Sequence, residues 1–128
     1  MQVVTNALLV GIGGFAGSVF RYWVSGWVQS LVSQSWRPVG TFAVNVIGCF
    51  LIGLLLGLAE FRQVLKPEAR LLLIVGVLGG FTTFSTFGYE TYALARDREF
   101  AAALVNIGAQ VVFGLAAVWA GYTLARFA

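Results

Sequence analysis

No histidine occurs in the 128 residues, and there is a single cysteine, Cys49. These two shortages exclude a disulfide framework, a Cys-based zinc site within one chain, His-ligated metals and the ordinary catalytic triads. Charge is scarce as well: eight basic and five acidic residues, 10% of the chain. The bases are scattered rather than gathered into a patch, which argues against nucleic acid as a partner. Proline occurs only twice, at Pro38 and Pro67.

Apolar residues are what the chain has: 59% of positions, with 16 glycines besides. Soluble domains run at ~45–50% even when glycine is counted. So few polar groups could not cover a soluble globule of this size. The composition therefore reads as an integral membrane protein. A spanning helix needs ~20 mostly apolar residues, and the chain divides into four such segments, at about 5–28, 39–59, 70–96 and 100–126. The connections 29–38, 60–69 and 97–99 are short. Pro67 stands where a third helix would start, a position that tolerates a missing N–H. No segment has the two-residue alternation of a barrel strand. No Lys or Arg precedes Arg21, so the positive region of a signal peptide is missing and the first segment is expected to stay as a helix. The expected fold is all-α: one domain over 1–128, with four transmembrane helices.

Basic residues normally set orientation through their imbalance across the membrane. Four spans place Arg62, Lys66, Arg70 and Arg126 on one side, and Arg21, Arg37, Arg96 and Arg98 on the other. Two readings follow. The chain inserts both ways round and pairs as inverted copies, or it inserts one way with uninformative charges.

Gly11-Ile12-Gly13-Gly14-Phe15-Ala16 fits a loose dinucleotide fingerprint. No acid lies in the ~20 positions beyond it, and Glu60 is the first in the chain, so that reading fails. The pairs Gly13/Gly17, Gly53/Gly57 and Gly76/Gly80 instead have the small-xxx-small spacing that lets helices approach closely in lipid.

Polar residues at membrane depth are the candidates for function. Thr41 and Asn45 lie four apart on one helical face, and Asn106 and Gln110 repeat the spacing. They either bridge helices or line a path. The third segment carries Gly79-Gly80-Phe81-Thr82-Thr83-Phe84-Ser85-Thr86-Phe87, a poor uninterrupted helix. A break there would free backbone groups in mid-span, where they must be buried, hydrated or bound to an ion. Freed carbonyls suit a cation, and freed N–H groups an anion. Phe84 and Phe87 share a face three apart, and their positive ring edges could meet a small anion. Glu90 continues at the next three-residue step, either as an ion or proton site or as a local hydrogen-bond acceptor. Arg21 either snorkels to the interface or gives positive potential to an anion vestibule.

Taken together, these residues resemble the Fluc/CrcB family of bacterial fluoride channels over essentially the whole chain. Gly14-x-x-Gly17 with Arg21-Tyr22 is similar to the family's first-helix signature. Gly40-Thr41-x-x-x-Asn45-x-x-Gly48, running on to Gly53, is similar to its second. The Gly76 to Phe87 string with Glu90 is similar to its third and is the most specific. The resemblance implies a passive fluoride-selective channel and no enzyme. It implies a dual-topology antiparallel homodimer with two pores, multi-pass in the bacterial inner (plasma) membrane. It implies a fluoride pore using Asn45 as amide donor, the edges of Phe84 and Phe87, the hydroxyls of Ser85 and Thr86, and Thr41. Asn106 and Gln110 fall where the family has a polar track on its fourth helix, but Gly114 and Val118 depart from it. It also implies a structural sodium ion held by the carbonyls of Gly79 and Thr82 from both copies. A proton-coupled exporter of the small multidrug-resistance type would share size and topology, but it would need a carboxylate in the first helix, where there is none.

Overall fold

The computed structural model describes residues 1–32 and 36–128. Positions 33–35, in the first connection expected at 29–38, lie outside the described residues. The elements are α1 (Gln2–Ser30), α2 (Val39–Phe61), α3 (Pro67–Arg70), a π-helical stretch (Leu71–Leu78), α4 (Gly79–Phe81), α5 (Phe84–Arg96) and α6 (Phe100–Phe127). There is no strand among the described residues. Among the described residues, four stretches are long and apolar enough to cross a membrane: Gln2–Ser30, Val39–Phe61, Pro67–Arg96 and Phe100–Phe127.

The helices pair as α2 with α6, and α1 with the π-helical stretch and α4. Glycine sets both contacts. A Cβ at Gly13 would run into the Leu72 carbonyl and come within 2.9 Å of the Gly76 Cα. One at Gly17 would strike the Val77 carbonyl, and one at Gly80 would lie 2.5 Å from the Gly14 carbonyl. Across the molecule, Gly53 faces the Val118 backbone, Gly57 faces Ala125, and Gly121 faces the Phe50 carbonyl. Close approach is the common feature of all these places. Gly11, the first glycine of the loose dinucleotide fingerprint, has open space around it.

The core is correspondingly thin. Val44, Leu78, Phe81, Leu94 and Ala125 are buried, while Phe15, Trp27, Leu115 and Trp119 are exposed. An apolar exterior of this kind suits hydrocarbon, which is as apolar as the side chains themselves.

Two local features shape the third span. Thr82 (φ −87°, ψ 159°) and Thr83 (φ −151°, ψ 115°) are extended between α4 and α5. The Thr83 hydroxyl then caps α5 by accepting the Thr86 N–H at 3.2 Å, the usual way to satisfy a first-turn donor. At its far end, α5 closes with the Glu99 N–H donating to the Leu94 carbonyl at 2.8 Å. That closure places Arg98 at φ 63°, a left-handed position that glycine normally fills.

Candidate functional site

Among the described residues, a wider and a narrower cavity open into the bundle, and Thr83 lines both. The wider, of about 1030 Å³, runs past Arg21, Ser25, Arg37, Thr41, Thr86 and Glu90. The narrower, of about 430 Å³, is lined by Asn45, Cys49, Gly79, Phe84, Phe87 and Gln110, among others, none of them charged. All the sequence-predicted residues except Ser85 and Asn106 are thus divided between two chambers. Thr83, absent from that set, stands at the division. Its sequence signal was a Thr directly before the Phe84 helix start, a ready N-cap.

Asn45 on α2 fixes this dividing residue. Its Oδ1 accepts the Thr83 N–H at 2.8 Å, and its Nδ2 donates to the Thr83 carbonyl at 3.0 Å. The same Nδ2 donates to Gln110 Oε1 on α6 at 3.1 Å. One side chain therefore ties together α2, the extended segment and α6. The Thr83 hydroxyl continues the network, donating to Thr86 Oγ1 at 3.0 Å and lying 3.2 Å from Ser85 Oγ.

In the wider cavity the Thr41 hydroxyl donates to Glu90 Oε1 at 2.8 Å. Thr41 is only 4% exposed, so its hydroxyl needs such a partner. Arg21 Nη1 reaches the Thr82 carbonyl at 3.4 Å, a long contact. Arg21 and Arg37 give this chamber two positive groups against the single carboxylate of Glu90.

Phe84 and Phe87 lie with ring centroids 5.4 Å apart and planes tilted by 59°. Both line the narrower cavity, and Phe84 is 81% exposed. Glu90 leaves their row and lines the wider cavity. Each three-residue step falls ~60° short of a full turn, so two steps carry Glu90 to another face. Ser85 is exposed and lines neither cavity. Asn106, 3% exposed, also lines neither. Its Nδ2 donates to Thr91 Oγ1 at 2.9 Å, and that hydroxyl in turn donates to the Phe87 carbonyl at 2.8 Å. Asn106 therefore fastens α6 to α5, and Thr91, a link with no distinctive sequence signal, completes the fastening.

The carbonyls of Gly79 and Thr82 are displaced from the helical ladder. The Thr83 N–H that would close a ring on Gly79 goes to Asn45 instead. The Thr86 N–H that would serve Thr82 goes to the Thr83 hydroxyl. Gly79 has open space where a Cβ would be. Among the described residues no cluster of three His, Cys, Asp or Glu could hold a metal, so any cation here would rely on neutral oxygens.

Four apolar spans around these two cavities define a multi-pass membrane protein. The comparisons with known proteins narrow this further. Residues 8–122 match the family model described as "CrcB-like protein, Camphor Resistance (CrcB)", and the chain belongs to that family. It is 50% identical over 125 residues to a "Fluoride-specific ion channel FluC" of Chlorobaculum tepidum, covering 98% of each chain. A protein of the same description from Geobacter sulfurreducens is 46% identical over 123 residues, covering 96% of this chain and 98% of the relative. One from Geotalea daltonii is 44% identical over 127 residues, covering 99% of each.

Proposed function

We propose that the chain is a fluoride-selective channel that lets cytoplasmic fluoride leave passively across the plasma membrane. The observation that carries this reading is the uncharged narrower cavity, where two amides and two phenyl rings converge. Fluoride is small and strongly hydrated. A pore must replace its lost water with donors, or entry costs too much. Amide N–H groups and ring edges are such donors. They attract the anion without a fixed cation that would trap it. The wider cavity, with Arg21 and Arg37, serves as the vestibule that concentrates anions before that step. Close glycine packing limits the width open to larger halides.

The working unit in this reading is an antiparallel homodimer of inverted copies with two pores. The even division of Lys and Arg supports it, because nothing then favours one orientation. So does the exposure of Phe84, Ser85, Thr86 and Gly79, a polar and aromatic face poorly suited to lipid. The displaced carbonyls at the Thr82–Thr83 interruption adjoin this face. Neutral carbonyl oxygens are hard ligands suited to sodium. The carbonyls of Gly79 and Thr82 would hold the ion together with their counterparts from the second copy. When bound, sodium supplies positive charge that satisfies these oxygens and joins the two copies. The Arg21 contact to Thr82 is long and leaves the carbonyl's second lone pair free.

A proton-coupled exporter is not favoured: α1 has no acid to carry the proton. The deciding experiment is efflux from liposomes containing this protein alone, with potassium and valinomycin. Fluoride should leave rapidly without a proton gradient and chloride should be retained. Equal loss of both anions, or no loss, overturns the reading.

A further inference from the structure

The geometry points to Gln29 as a positioning residue: from the end of α1 it caps α2 and holds Arg37 at the mouth of the wider cavity, where that guanidinium draws anions inward. The inference rests on the fluoride-channel reading and adds to it the residues that shape the entrance.

α2 has no cap of its own. Its N-cap position is Pro38, which makes no side-chain hydrogen bond and has no side-chain acceptor to make one. The first-turn N–H of Gly40 is met from another helix instead, donating to Gln29 Oε1 at 3.4 Å. Gln29 Nε2 in turn donates to the Trp36 carbonyl at 3.0 Å. An N–H is met only by an acceptor and a carbonyl only by a donor, so these two partners fix which way the amide faces. Gly40 is buried, and a Cβ there would lie 2.6 Å from the Ser25 carbonyl oxygen. Ser25 and Gln29 stand four apart on one face of α1. Two successive turns of α1 therefore grip the start of α2.

Arg37, Pro38 and Val39 lie between the two backbone groups that Gln29 holds. The ring of Pro38 locks its own φ as well. Arg37 is thereby left little backbone freedom, and its side chain lines the wider cavity, as Gln29 does. The two arginines of that cavity differ in depth. Arg21 is half-buried and reaches the Thr82 carbonyl, whereas Arg37 is exposed. A charge held at the mouth concentrates anions there, while the same charge on a loose connection is spread over a larger volume.

The test uses the full-length protein in liposomes with potassium and valinomycin. It reads the initial rate of fluoride efflux at low fluoride, in potassium glutamate at about 20 mM and about 300 mM. One charge about 10 Å away in water changes local anion concentration by about twofold. Arg37→Gln should therefore lower the low-salt rate by about twofold and flatten its fall with salt. Arg37→Glu should lower it further and make the rate rise with salt. Gln29→Met, similar in size but without the amide, should reproduce the Arg37→Gln loss and flattening while eluting at the wild-type size. Combined with Arg37→Gln, it should lose nothing more. A merely structural role would cost Gln29→Met the same factor at both salts, and cost it again on top of Arg37→Gln. Either result overturns the assignment, as does a wild-type rate in Gln29→Met, or wild-type rates and salt dependence in both Arg37 variants. Should Gln29→Met elute differently, Gln29→Asn takes its place with the same expectations, since its shorter stem cannot span both partners. Absence of fluoride flux in the wild type is a different result and removes the channel reading beneath the proposal.

Discussion

The side chain of Asn45 pairs with the main chain of Thr83 through both amide atoms, at 2.8 and 3.0 Å. This reciprocal pairing, across 38 positions of sequence, holds two extended residues in place inside a helical span. In Asn45→Ala the Thr83 N–H and C=O lose both partners at once. Fluoride efflux from liposomes should fall by more than about tenfold, with helix content by circular dichroism unchanged.

Phe84 and Phe87 act in the proposed pore through their ring edges, which an aliphatic side chain of similar bulk cannot supply. Phe84→Ile should lower fluoride efflux by about tenfold or more and leave chloride retained. Wild-type flux in this variant would show that the ring only fills space.

The glycines facing backbone tolerate no side chain. Gly17→Ala should destabilise the fold by about 2–3 kcal/mol, read as a lower midpoint in thermal unfolding followed by size-exclusion chromatography. Gly11→Ala and Gly26→Ala, where a Cβ meets nothing within 4 Å, should stay within about 0.5 kcal/mol of wild type.

Arg98 carries backbone strain at φ 63° in the turn after α5. Arg98→Gly should raise stability by about 0.5–1 kcal/mol, because relief of the left-handed strain outweighs the entropy of the freer unfolded chain. The same thermal assay reads it.

If Gly79 and Thr82 hold sodium between two copies, replacing sodium with choline during purification should shift the protein from dimer to monomer by light scattering. Identical size and thermal midpoint in the two salts would count against the ion.

The four spans were legible because an apolar run of that length fits little besides a membrane-crossing helix, and Gly13, Gly17, Gly76 and Gly80 announced their contacts by spacing alone. The Gly79–Phe87 string likewise pointed to the place where the cavities meet. Partnerships across the bundle were not legible. Nothing local to Asn106 indicates that Thr91 takes its amide, and nothing near Thr83 indicates that Asn45 takes its backbone. Helical spacing also misplaced Glu90, since small angular shortfalls accumulate over two turns and carry a side chain into a different chamber. The π-helical stretch Leu71–Leu78 has no pattern that distinguishes it from ordinary apolar helix.

Where α1 meets the third span through Gly13, Gly17, Gly76 and Gly80, main chain rests against main chain with no layer of rotatable groups between. Such a seam has no springs. Widening the bundle would require sliding one whole helix along another rather than swinging a few torsions. The fit of α1 against the third span is therefore a property of the polypeptide's own geometry, while the narrower cavity is lined by α2, the third span and α6.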